Sequence, residues 1–163
     1  MSYQNKKTLW QIQKELKPKA EDVTKELKDK DDYENLIKFL DFLKDNKLVP
    51  RWQSLNKWSV RYRNKLICHL GINCHFSVCG HEEGWRASNN QFILKLLITD
   101  QNKYMTDDKS KEFIWENMKT PPCACNVNCK GIQNITVLGK QFDAICKCWP
   151  FSIKNPNEDQ LVY

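Results

Sequence analysis

The sequence predicts an α+β domain in which helices pack on a single antiparallel sheet of about five or six strands. Three observations carry this. Apolar residues recur at helical spacing as far as Leu43; beyond Pro50 their period changes to two; and two alternating runs near the C-terminal end flank Gly139-Lys140.

The elements follow in order. Leu9, Ile12 and Leu16 form a short helical stripe that stops near Pro18, and Ala20, Val23 and Leu27 form a second. After Asp31, Tyr33, Leu36, Ile37, Leu40 and Leu43 recur at helical spacing behind acidic residues, so this helix should face the core. Trp58, Val60 and Tyr62 then alternate with Ser59, Arg61 and Arg63. An Asn64-Lys65 turn leads into Leu66, Cys68 and Leu70, which alternate with Ile67 and His69. Further strands are expected at Cys74–Cys79 and at Phe92–Ile98, whose near-continuous apolar content suits an interior position. Asp107 and Asp108 open a helix with Phe113, Ile114 and Met118 inward. Asn155 and Pro156 have the chemistry of a helix start, complemented by Glu158 and Asp159, although fewer than two turns could form before Tyr163.

Residues 1–163 read as one domain, helical over 1–49 and sheet-rich over 50–163, with a Cys loop at 121–130. A chain with 28 % charged and 40 % hydrophobic residues, and 18 aromatics to bury, is neither disordered nor fibrous. No apolar run approaches the roughly 18 residues of a membrane span, and the N-terminus lacks the apolar stretch of a secretory signal. A cytoplasmic location is therefore expected, where the eight cysteines are thiols or metal ligands rather than a disulfide framework.

The last third places thiols together. A two-residue type II′ turn at Gly139-Lys140 would set Val137 opposite Phe142, Ile135 opposite Ala144 and Gln133 opposite Cys146. Cys146 and Cys148 would then share the apolar face of the hairpin. Cys129 would reach its open end beside Cys148, with Cys123 and Cys125 in the same loop. Zinc favours thiolate ligands, and Cys125-x3-Cys129 has a common ligand spacing, so Cys123, Cys125, Cys129, Cys146 and Cys148 are the candidate metal set. Cys146-x-Cys148 and Cys123-x-Cys125 are one residue shorter than the usual pair, which fits one ligand from each. Inert buried thiols and a redox role are the competing readings. Elsewhere, the Cys and His residues between Cys68 and His81 alternate in direction, so Cys68 reads as core and His69 as surface.

The formal charge of +6 is concentrated between Pro50 and Leu70, where Arg51, Lys57, Arg61, Arg63 and Lys65 occur without an acid, among Trp52, Trp58 and Tyr62. A small-ligand cleft lined by Trp52, Trp58, Tyr62 and Arg61 is expected, with Arg61 and Arg63 open to an anion. Single-stranded nucleic acid is the weaker partner: lysines outnumber arginines 22 to 4, and no recognised binding motif is present.

Cys125-x3-Cys129, the run Ile135 to Cys146, Phe151 and Asn155-Pro156 together resemble a group of small uncharacterised cytosolic proteins of Gram-positive anaerobes. Related segments are similar to those appended to transcription regulators with effector-binding modules. The resemblance spans roughly the last 100 residues and implies Cys125, Cys129 and Cys146 as matching positions; Pro122 stands where a first cysteine is expected, with Cys123 displaced by one. Residues and resemblance together predict a non-enzymatic binding protein whose Cys loop and hairpin hold a structural zinc. A thiol-dependent redox protein or sensor is the second reading, and a nucleic-acid accessory factor acting through residues 51–65 the third.

Overall fold

The computed structural model describes residues 7–73, 75–76, 80–81, 83–89, 107–123 and 128–156. Helix α1 (Leu9–Leu16) starts at Thr8, whose hydroxyl accepts the Gln11 backbone N–H while the Gln11 side chain accepts that of Thr8. It ends at Lys17, in the left-handed conformation before Pro18. Helix α2 (Ala20–Val23) runs into a 3-10 turn (Thr24–Glu26). Helix α3 (Lys30–Asp45) is capped by the Asp29 carboxylate, which accepts the Asp32 N–H, with Asp31 and Asp32 in the first turn as the charge pattern requires.

Strands β1 (Arg51–Ser54), β2 (Lys57–Tyr62) and β3 (Lys65–Ile72) form a meander. A two-stranded ribbon of β4 (His75–Phe76) and β5 (Gly80–His81) stands where one strand over Cys74–Cys79 is expected. The chain then returns as β6 (Trp85–Asn89). Helix α4 (Asp108–Asn117) begins at Asp107, as the acidic pair predicts. Strands β7 (Ile132–Val137) and β8 (Lys140–Ile145) form a hairpin, and β9 (Phe151–Lys154) closes the described chain. The main sheet has five antiparallel strands in the order β1-β2-β3-β6-β9, while β7-β8 is a separate sheet. The expected strand at Phe92–Ile98 and the helix start after Pro156 lie outside the described residues.

One cross-strand row, Trp52, Trp58, Leu70, Ala87 and Ile153, lies on the face that packs against Leu36, Leu40 and Leu43 of α3. The neighbouring row on the opposite face is Arg51, Ser59, His69, Ser88 and Ser152. Its last four members are also buried, so His69 is an interior residue rather than the surface group its alternation predicts. Trp149 lies edge-on against its ring at 5.4 Å. Burial and the neighbouring Lys57 and Arg61 charges push the His69 pKa down to about 4.

Two hairpins turn one residue earlier than expected. Between β2 and β3, Arg63 and Asn64 occupy the turn with φ of 45° and 66°; between β7 and β8, Leu138 and Gly139 do so with 49° and 87°. Positive φ at both central residues is the type I′ pattern, whose twist matches the flanking strands. In the second hairpin the register therefore moves by two residues, and Ile135 faces Phe142 instead of Ala144. Leu138 is held in this costly conformation because its side chain is buried with Ile114, Val137 and Ile145 in a second core beneath α4.

The first stripe also turns the other way. Leu9, Trp10, Ile12 and Leu16 of α1 are exposed, and the buried residue is Gln13. Its carboxamide accepts the Asn56 N–H at 2.9 Å and the Trp52 indole N–H at 3.3 Å, and donates to Asn56 Oδ1 at 2.5 Å. Three hydrogen bonds at a buried position outweigh the apolar pattern.

Candidate metal centre

The second core builds the site. Helix α4 is followed by Met118, which bridges to Phe151, and then by Lys119. The Lys119 carbonyl accepts the Cys146 N–H at 2.7 Å, so the residue after β8 is pinned against the start of the Cys loop. From the other side Gly131 brings the loop back. Its φ is +70°, and a Cβ there would stand 2.6 Å from the Ile145 carbonyl oxygen and 2.9 Å from the Pro121 side chain. Only glycine permits this approach of two backbones.

The result is that the sulfurs of Cys123, Cys129 and Cys146 lie within 4.8 Å of one another. Cys146 is fully buried, and the other two are half-buried. The Trp149 N–H donates to Cys146 Sγ at 3.4 Å, a contact of the kind that orients a metal-bound sulfur. Three soft donors at this spacing could hold one metal ion: a tetrahedral zinc with bonds of about 2.3 Å needs sulfurs separated by roughly 3.8 Å.

Of the five cysteines expected at the site, the structure brings together these three. Cys125 lies outside the described residues. Cys148 is exposed and stands apart from the trio, because β8 ends at Ile145 and the chain turns before the alternation can carry Cys148 onto the face of Cys146. Cys68 belongs to the first core, where burial pushes its pKa up to about 12, so it is an inert thiol.

The aromatic and basic residues between Trp52 and Arg63 stand in different surroundings. Trp58 is fully buried and its indole donates to the Pro18 carbonyl at 2.8 Å; Trp52 is half-buried on Gln13. A bulge pairs Val60 with Cys68 but Arg61 with Leu66, and Tyr62 beyond it is exposed. Arg61 is turned onto the Asn64 carbonyl at 3.0 Å, and Arg63 lies over the Tyr62 ring at 5.2 Å. The roles of Gly131, Lys119 and Trp149 at the thiol cluster were not foreseen. Gly131, two residues after Cys129, is the one signal in the sequence that marks a close backbone approach. No family model, no curated protein and no solved structure matches the chain.

Proposed function

We propose that the chain is a non-enzymatic binding protein of the cytoplasm in which Cys123, Cys129 and Cys146 hold a structural zinc. The observation that carries the reading is the mutual approach of the three sulfurs from two sides of a loop, supported by the hydrogen bond from Trp149 to the most buried one. Their chemistry favours zinc over harder cations. Bound there, zinc fixes the Cys loop to the end of β8 and to the turn that carries Trp149; the fourth ligand comes from a further thiolate or from solvent.

Elemental analysis of protein purified without chelator should give about one zinc per chain, and Cys146→Ser should abolish it. The cobalt-substituted protein should show thiolate-to-metal absorption whose intensity counts the sulfurs. A metal-free, folded protein in which two of the three cysteines form a disulfide under mild oxidation would replace this reading with the redox one.

A further inference from the structure

A cavity of about 780 Å³ opens where the N-terminal helical layer meets one end of the main sheet, and no cysteine lines it. That volume is within the range of small-molecule sites. One wall is made of three asparagines, each just beyond the end of a strand: Asn56, Asn73 and Asn155, with φ of 50°, 42° and 44°. All three are tied down. Asn73 Oδ1 accepts the Gly84 N–H at 2.9 Å, Asn155 Oδ1 accepts the Trp85 N–H at 2.7 Å, and Asn56 is held by Gln13. Asn155 thereby clasps the start of β6. A Cβ at Gly84, which has φ +95°, would collide with the Asn155 carboxamide. The wall is therefore rigid and polar before any ligand arrives.

Leu9, Leu27 and Leu55 add apolar surface to the lining. Leu9 remains half-exposed, which leaves apolar surface for a ligand to cover. The charged residues at the cavity are Glu26, Asp29, Asp32 and Glu83 against Lys28 and Lys154, an excess of two negative charges. Lys28 is spent on Glu83 at 2.5 Å. Burial, and after it the nearby Asp29, hold the Asp32 carboxyl above the usual carboxylate range, only partly relieved by Lys154.

We propose that this cavity binds a small organic cation, an amine or guanidine on a short apolar body. The carboxylates supply the charge, the leucines cover the body, and the fixed carboxamides set its orientation. This reverses the sign of ligand expected from the basic stretch, because neither Arg61 nor Arg63 lines the cavity. The inference is independent of the zinc reading.

The test is titration of the full chain with agmatine, and separately with succinate, followed by amide and carboxamide NMR. Agmatine should shift the side-chain signals of Asn56, Asn73 and Asn155 saturably while succinate leaves them unmoved. Glu26→Gln, which keeps the backbone carbonyl that accepts from Asn73 Nδ2, should weaken agmatine roughly tenfold, the effect of one charge-assisted contact. Asp32→Asn should act in the same direction. Absence of saturable shifts at millimolar agmatine, tighter binding of succinate, or an unchanged affinity in both variants would overturn the proposal. Zinc content should stay the same in every variant.

Discussion

Gly131 and Gly139 have nearly the same backbone requirement and opposite surroundings. Both have φ in the left-handed region, 70° and 87°, but a Cβ at Gly139 meets nothing within 4 Å, whereas one at Gly131 runs into the Ile145 carbonyl and Pro121. Alanine at 139 should therefore cost only the backbone term, about 1 kcal/mol. Alanine at 131 adds a contact with backbone that cannot rotate away, so either the Cys loop or the end of β8 must move. The expected outcome is that Gly131→Ala loses most of its zinc and several degrees of Tm, while Gly139→Ala keeps full zinc with a smaller fall in Tm. Metal analysis and thermal unfolding of the two variants check it. Equal effects on zinc would mean that turn geometry, and not the approach at 131, controls the thiol cluster.

At the scale of the element, helix α1 shows what a local pattern can and cannot decide. Its end was legible, since Pro18 forbids continuation, whereas its start is set by the capping box of Thr8 and Gln11 that the stripe does not show. Its orientation was not legible, because Gln13 is chosen by partners on Asn56 and Trp52 that lie about forty residues away in the chain. The same reason explains the other misreadings. The α3 helix and the β2 and β3 strands were readable from periodicity alone, whereas the bulge beside Arg61 and the type I′ turns are decided by pairing and twist. β6 and β9 gave no period of two because buried Ser88 and Ser152 interrupt the apolar residues that surround them. The thiol convergence was legible in outline, since any turn near Gly139 draws the Cys loop toward Cys146. It misassigned Cys148 because the strand stops at Ile145. A direct consequence is that Gln13→Ala should destabilise the protein by about 2–3 kcal/mol by orphaning a buried amide group. Leu16→Ala, at a side chain 72 % exposed, should change stability by less than about 0.5 kcal/mol. Denaturant unfolding of the two variants measures this, and the reverse order would return α1 to an orientation set by its leucines.

The described molecule has two cores that meet along one line. The first joins α2 and α3 to the sheet through Leu36, Trp58 and Trp85; the second joins α4 to the β7-β8 hairpin through Ile114, Val137 and Ile145. They are connected where Met118 bridges to Phe151, where the Lys119 N–H donates to the Pro150 carbonyl at 2.9 Å, and where the Phe113 and Phe151 rings meet edge-on at 6.3 Å. The thiol cluster adjoins the second core, where Cys146 follows β8 and is held by the Lys119 carbonyl, while Trp149 beside it reaches His69 of the main sheet. The smaller core has one helix and a two-stranded ribbon, an arrangement that is marginal without a further constraint. Zinc bound at Cys123, Cys129 and Cys146 would supply that constraint, since whatever binds only the folded form adds its binding free energy to stability. Chelation should therefore act unevenly. Backbone amides of residues 132–145 should exchange at least about tenfold faster after zinc removal, while those of 57–72 in β2 and β3 keep their protection. Hydrogen exchange read by mass spectrometry, with and without chelator, provides the measurement. A uniform loss of protection would make the two cores a single cooperative unit, and no change would remove the metal from the second core's stability altogether.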